Sequence, residues 1–222
     1  MMTRRSKMGR FARPRSTWAR FAGPAGALAA LLLAACASPD PRYYSLAAAG
    51  DASPPPAAAP GTTQLAHAEP LWIEVAPVRV PERLNRAQLV VGDGADGQLK
   101  LLDLSRWSSP LPDELRDALS QQLQSRLGAV DTYQQGLSDV APIYRITTEV
   151  VRLDGAVGER ASATIAWTVR RLPDGKVTGG RTVADVPAPG QVDGLVGAYR
   201  QIVGTAAGDI ATALTTLTTL RP

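Results

Sequence analysis

From Leu71 onward the chain alternates between the apolar periods of strands and of helices. Trp72 to Val78 is rich in β-formers and reads as a strand, with Pro77 placing it at an edge or near a strand end. Gln88 to Val91 and Gln98 to Leu104 give a second and a third strand, separated by the turn-forming run Gly92-Asp93-Gly94-Ala95-Asp96-Gly97. Leu111, Leu115, Leu119, Leu123 and Leu127 then recur every four residues with Ala118 alongside, the signature of an amphipathic helix. Pro112 in its first turn, Asp113 and Glu114 near its N-terminus and Gly128 past its end match helix-terminus chemistry. The acidic pair is thereby explained without catalysis.

The second half opens on long strands. Ile143 to Asp154 places Tyr144, Ile146, Thr148 and Val150 on one face, and Arg160 to Leu172 alternates Ala163, Ile165, Trp167 and Val169 against polar neighbours. Pro173-Asp174-Gly175 turns the chain into Val177 to Val186, completing an antiparallel meander. A closing helix from about Val192 to Leu217 carries an apolar stripe through Leu195, Tyr199, Ile202, Val203, Ala206, Ile210 and Leu214, with Gly204 and Gly208 expected to pack closely on the sheet. The crossover from the Leu99 strand through the leucine helix to residues 129–133 adds a parallel pair. The expected fold class is α/β: a mixed, largely antiparallel central sheet packed by two main helices in a single domain.

Length allows no second large domain, since 222 residues with 45% hydrophobic content suit one domain with tails. The formal charge of +4 points to nucleic acid only until its placement is considered. Arg4, Arg5, Lys7, Arg10, Arg13, Arg15 and Arg20 lie in residues 1–35 with no acidic residue among them. Removing these seven from the 24 Lys plus Arg leaves 17 against 20 Asp plus Glu, a charge of −3. The basic character belongs to a leader, and no nucleic-acid partner is expected.

After Arg20 the leader becomes uncharged, and its apolar heart runs from Ala25 to Ala35. It is shorter than the roughly 20 apolar residues that span a bilayer, so a cleaved signal is expected over residues 1–35. The only cysteine, Cys36, directly follows Leu33-Ala34-Ala35, and this junction resembles the bacterial lipobox. Small side chains let the extended chain enter a peptidase cleft, and the thiol accepts diacylglycerol, with further acylation such as palmitate. Each buried CH₂ contributes about 0.8 kcal/mol, so several chains anchor stably. Ala37, rather than Asp, follows the cysteine, which favours sorting to the outer membrane. Residues 36–70 then comprise the lipidated N-terminus, a short strand and a linker in which 11 of the 14 residues from Ala47 to Pro60 are Ala or Pro. Residues 71–222 form the folded domain.

Catalytic and cofactor chemistry finds little footing. Gly92-x-Gly94-x-x-Gly97 matches the dinucleotide fingerprint in letters, but a strand rather than a helix follows it, and Asp93 and Asp96 would repel phosphates. A calcium loop starting at Asp93 has Leu104 where a bidentate Glu is required. One lipidated cysteine and one histidine, His67 in the low-complexity stretch, assemble neither a metal site nor a catalytic triad. No cofactor and no enzyme activity are expected. Arg79, Arg83 and Arg86 stand out instead: spacings of four and three align them on one helical face, where they could hold an acidic partner or lipid phosphates.

A sequence of short motifs carries a resemblance. Tyr43-Tyr44-Ser45-Leu46 follows the cysteine, then Ile73-Glu74-Val75-Ala76-Pro77-Val78, Val80-Pro81 with Leu84 and Arg86, and Gln88-Leu89-Val90. Arg106-Trp107-Ser108-Ser109-Pro110-Leu111 opens the first helix, and Tyr144-Arg145 and Val150-Val151-Arg152-Leu153-Asp154 come later. In this order they resemble the PqiC/YmbA family of ABC-type transport auxiliary lipoproteins over nearly the whole mature chain. The resemblance implies a periplasm-facing, outer-membrane lipoprotein that works with an MCE-domain protein and inner-membrane transporter components, and it leaves room for a homo-oligomer. It implies an α/β fold without a catalytic site. The competing readings are an envelope scaffold that never contacts lipid and a periplasmic hydrolase, the latter disfavoured by the missing histidine.

Overall fold

The structure, a computed structural model, describes residues 39–47, 70–92 and 97–219. Cys36, His67, the Ala/Pro-rich stretch past Ala47 and the tip at 93–96 lie outside the described residues. In chain order the strands are β1 (Arg42–Tyr44), β2 (Leu71–Val75), β3 (Gln88–Gly92), β4 (Leu99–Trp107), β5 (Ala129–Asp131), β6 (Tyr144–Ala156), β7 (Arg160–Arg171) and β8 (Val177–Pro187). Helix α1 (Leu111–Leu127) joins β4 to β5, helix α2 (Val192–Thr219) closes the chain, and a 3₁₀ turn at Glu82–Leu84 precedes β3.

The strands form two sheets, ordered β5-β2-β6-β7-β8 and β1-β4-β3. In the larger one, β2 runs parallel to both β5 and β6, while β6, β7 and β8 form the antiparallel meander. The crossover through α1 does create a parallel strand, but β5 pairs with β2 rather than with β4. The parallel partner of β4 is β1, Tyr43 lying opposite Arg106. On its other side β4 pairs antiparallel with β3, Gly92 opposite Leu99, so the Gly/Asp run joins two strands as a hairpin and cannot open a nucleotide-binding helix.

Both helices cover one face of the five-stranded sheet. Tyr144, Ile146 and Val150 of β6 and Ala163, Ile165, Trp167 and Val169 of β7 are buried there against Leu115, Leu119 and Leu123 of α1 and Ile202, Val203 and Ile210 of α2. Gly128 holds a left-handed conformation, φ +61°, and terminates α1 as its sequence position requires. Gly155 lets β6 pass under Tyr199, whose hydroxyl an added Cβ would strike. Burial drives that phenol's pKa above its ordinary value, with Asp154 adding to the shift. Gly204 and Gly208 do not serve the sheet: they face the Arg126 guanidinium of α1, which donates to the Gly204 carbonyl at 3.2 Å. The small residues open a groove on α2 for a charged side chain of the neighbouring helix.

Among the described residues one core hydroxyl has no partner. Thr148 Oγ1 is buried without a hydrogen bond, beside a void of about 10 Å³ otherwise walled by apolar side chains such as Leu115, Ile165 and Val203. A water there would find a single polar partner instead of the two to four it needs. Thr148→Val removes the desolvated group without changing shape, and is expected to raise stability by about 1 kcal/mol, read as a higher denaturation midpoint at unchanged m-value.

Candidate functional site

The residues between the leader and the domain are gathered by one carboxylate. Glu114, in the first turn of α1, is 3% exposed. Its Oε2 accepts from the Leu46 amide at 2.7 Å and from Ser45 Oγ at 2.8 Å. Its Oε1 accepts from Ser108 Oγ at 2.5 Å, and from the amide and hydroxyl of Ser109 at 3.1 and 2.8 Å. Burial pushes the carboxyl pKa up, but the bonds from Ser108, Leu46, Ser45 and Ser109 outweigh it and hold the group below its ordinary value. Arg200 of α2 completes the clamp by donating to the Ser45 carbonyl at 3.2 and 2.7 Å. The sequence places Glu114 at a helix N-terminus, and its second role as acceptor for a segment 68 residues away is visible only in the fold.

The arginine segment adjoins this clamp. Arg79 forms an isolated parallel bridge to Glu149, with a 3.1 Å ion pair between their exposed side chains. Arg83 lies in the 3₁₀ turn and Arg86 beyond it, both exposed. The helical face that the spacing suggests is therefore not formed: an extended bridge at Arg79 and a single tight turn that follows Pro81 replace it, with buried Leu84 and half-buried Val80 anchoring the loop. Leu84, 4% exposed, sits with Val90, Trp107, Leu111, Leu153 and Tyr199. Trp107 donates its amide to the Ala87 carbonyl and Ser108 donates to the Tyr44 carbonyl, both at 2.8 Å. Consecutive residues thus hold the arginine turn on one side and the N-terminal strand on the other.

A second polar centre fastens α1 to the parallel strands. Asp131, fully buried, accepts from Arg116 Nη2 and Ser120 Oγ, each at 2.6 Å, and from the amides of Val75 and Tyr133 at 3.3 and 3.1 Å. Arg116 also donates to the Val75 carbonyl at 3.2 Å and lies 4.4 Å from the centre of the Tyr133 ring. Every charge here is matched within the fold, which marks the centre as structural. Among the described residues no group of His, Cys, Asp and Glu could hold a metal ion, and no helix is long and apolar enough to cross a membrane.

These elements define an α/β domain whose N-terminal strand is clamped in place and which carries an exposed basic turn. Comparison identifies the family: residues 53–211 match the ABC-type transport auxiliary lipoprotein component, and the chain belongs to that family. This is a family of transport auxiliary lipoproteins rather than of enzymes, and membership implies association with a membrane and with an ABC transport system. No curated protein matches the chain. Among solved structures, an uncharacterized protein is similar with a TM-score of 0.59 at 19% identity, covering 79% of this chain and 99% of that one, which shows a shared fold. A DUF330 protein from Xanthomonas campestris matches with a TM-score of 0.47 at 16% identity, over 64% of this chain and 84% of its own.

Proposed function

We propose that the protein is an outer-membrane lipoprotein subunit of an MCE-type ABC lipid transport or envelope-integrity system, anchored through acylated Cys36 and acting in the periplasm as a binding and assembly module, not an enzyme. The observation that carries this reading is the Glu114 clamp. With β1 beginning at Arg42, only residues 37–41 separate the anchor from the folded domain, a reach of at most about 20 Å. The domain stands close to its membrane, and Arg79 on the bridge to Glu149, Arg83 in the turn and Arg86 beyond it are all exposed, where guanidinium forks suit carboxylates of an MCE-domain partner and lipid phosphates alike.

Two substitutions test it. Cys36→Ala is expected to leave an unprocessed precursor that takes up no labelled fatty acid; a variant still cleaved at this position and retained in the outer-membrane fraction sinks the anchor. Replacing all three arginines by Gln is expected to change stability little, since exposed substitutions stay within about 0.5 kcal/mol each. Co-purification with the MCE protein and survival in detergent should nevertheless fall, and the remaining binding should depend less on salt. Wild-type binding and survival in a folded, anchored triple variant would show the arginines to be a solvated face only.

A further inference from the structure

The outermost strand of the large sheet, β8, ends that sheet with an edge that is unpaired among the described residues. Its pairing with β7 is continuous from Val177 opposite Arg170 to Pro187 opposite Arg160, without a bulge. The same register carries the Arg171 amide to the Lys176 carbonyl and the Ala188 amide to the Glu159 carbonyl. Antiparallel strands alternate inward and outward bonding, so the even-numbered residues of β8 bond to β7 and the odd-numbered ones aim their amides and carbonyls away. Pro187, which has no N–H, falls on the outward set, where a proline leaves the sheet's own ladder intact. The side chains alternate in step: Thr182 and Val186 are buried under α2, whereas Arg181, Val183 and Asp185 stand exposed on the opposite face.

This edge is complementary to itself. We propose that β8 is the interface of a two-fold symmetric dimer, in which the edges of two copies pair antiparallel about Val183 and join the two sheets into one. In that register Val183 meets Val183, and Arg181 of each copy lies opposite Asp185 of the other on the same face. Outward-aimed residues then oppose outward-aimed residues throughout, so Val183, Arg181 and Asp185 exchange both backbone bonds, and Gly179 donates to the Pro187 carbonyl. Shifting the centre to residue 181 places arginine against arginine, and shifting it to 185 places aspartate against aspartate. Centres at 182 or 184 leave both charges without an opposite partner. Only the register about Val183 pairs every charge.

The surroundings agree with this occupant. Val183 is 71% exposed, the most exposed large apolar side chain of the domain's described residues, and the dimer would bury it at the symmetry axis. Asp185 already pairs with Arg160 at 2.9 Å, at a groove that Arg152 also lines, so in the dimer each Asp185 carboxylate would be shared between Arg160 of its own chain and Arg181 of the other copy. A long edge left open invites unselective pairing, and the alternating charges give this one a single preferred mate.

The test is charge reversal on the full-length chain in detergent, with mass read by sedimentation. Wild type is expected to dimerise. Arg181→Asp and Asp185→Arg each place like charges opposite one another twice, and each should weaken dimerisation about tenfold. The double reversal restores both opposite-charge pairs and should restore the dimer, which separates interface loss from misfolding. In membranes, Val183→Cys should crosslink through a short bis-maleimide between two differently tagged copies, while the chain lacking this substitution should not. A monomeric wild type, a dimer indifferent to the single reversals, failure of the double reversal to rescue, or crosslinking of Val183→Cys to another polypeptide in place of its own kind would each overturn the proposal. None of these outcomes depends on the identity of the transport system.

Discussion

Arg116→Met is expected to cost about 3–5 kcal/mol, the largest effect of any single substitution considered, because it strands a fully buried aspartate. Asp131 keeps Ser120 and two amides after the change, but these neutral donors replace none of the lost charge. The Val75 carbonyl loses its Arg116 donor as well, and the cation above the Tyr133 ring disappears. Adding Asp131→Asn to Arg116→Met removes the unpaired charge while retaining an acceptor for the Val75 and Tyr133 amides. The double variant should therefore recover part of the loss, a non-additivity measurable in denaturant titrations. Additive losses would show that the ion pair is not the reason for the destabilisation.

Glu114→Ala is expected to cost about 2–4 kcal/mol, since the buried Leu46 amide and several part-buried serine donors lose a charged acceptor at once. Its particular signature is local. The Leu46 amide should exchange with deuterium much faster in the variant, along with the neighbouring β1, while amides in β7 keep their protection relative to global unfolding. The same carboxylate sets a pH dependence. Its folded-state pKa lies below the ordinary 4.5, so the stabilisation it brings is fully present above about pH 4.5 and is lost as the pH falls through the lowered folded-state value. Glu114→Gln keeps one acceptor but does not titrate, so it should flatten the acid limb of the stability curve. An unchanged limb would assign acid lability to other groups. With the anchor proposed at Cys36, the functional consequence is reach: release of β1 would lengthen the tether without detaching the lipid.

The elements that are legible in the sequence are those whose signal is contained in a few turns of chain. The leucines of α1 recur within 17 residues and are bracketed by Pro112 and Gly128, so periodicity and terminal chemistry agree on its bounds. The alternation in β6 and β7 assigns Tyr144, Ile146 and Val150, and Ala163, Ile165, Trp167 and Val169, to the buried face, and the structure buries them there. The motif order that resembles the auxiliary lipoproteins is likewise linear information, and residues 53–211 match that family. The hairpin reading of the Gly/Asp run follows from the strand that comes next, whatever the glycine spacing.

What the tertiary structure decides is which distant groups meet. Pairing of β5 with β2, separation of the β1-β4-β3 sheet from the larger one and the placing of Gly204 and Gly208 against Arg126 all join segments far apart in the chain. No local period encodes them. The arginines show the opposite failure: their spacing is helical, yet Pro81 and the bridge at Arg79 impose an extended path, since backbone constraints outweigh a pattern of only three charges. Glu114 reads as a helix-terminus acid and no sequence pattern singles out Asp131, because a carboxylate's role depends on the donors that folding brings to it. The sequence by itself determines the elements, their buried faces and the family; the fold alone determines the clamp on the tether and the buried ion pair, because a hydrogen-bond partner is selected by position in space.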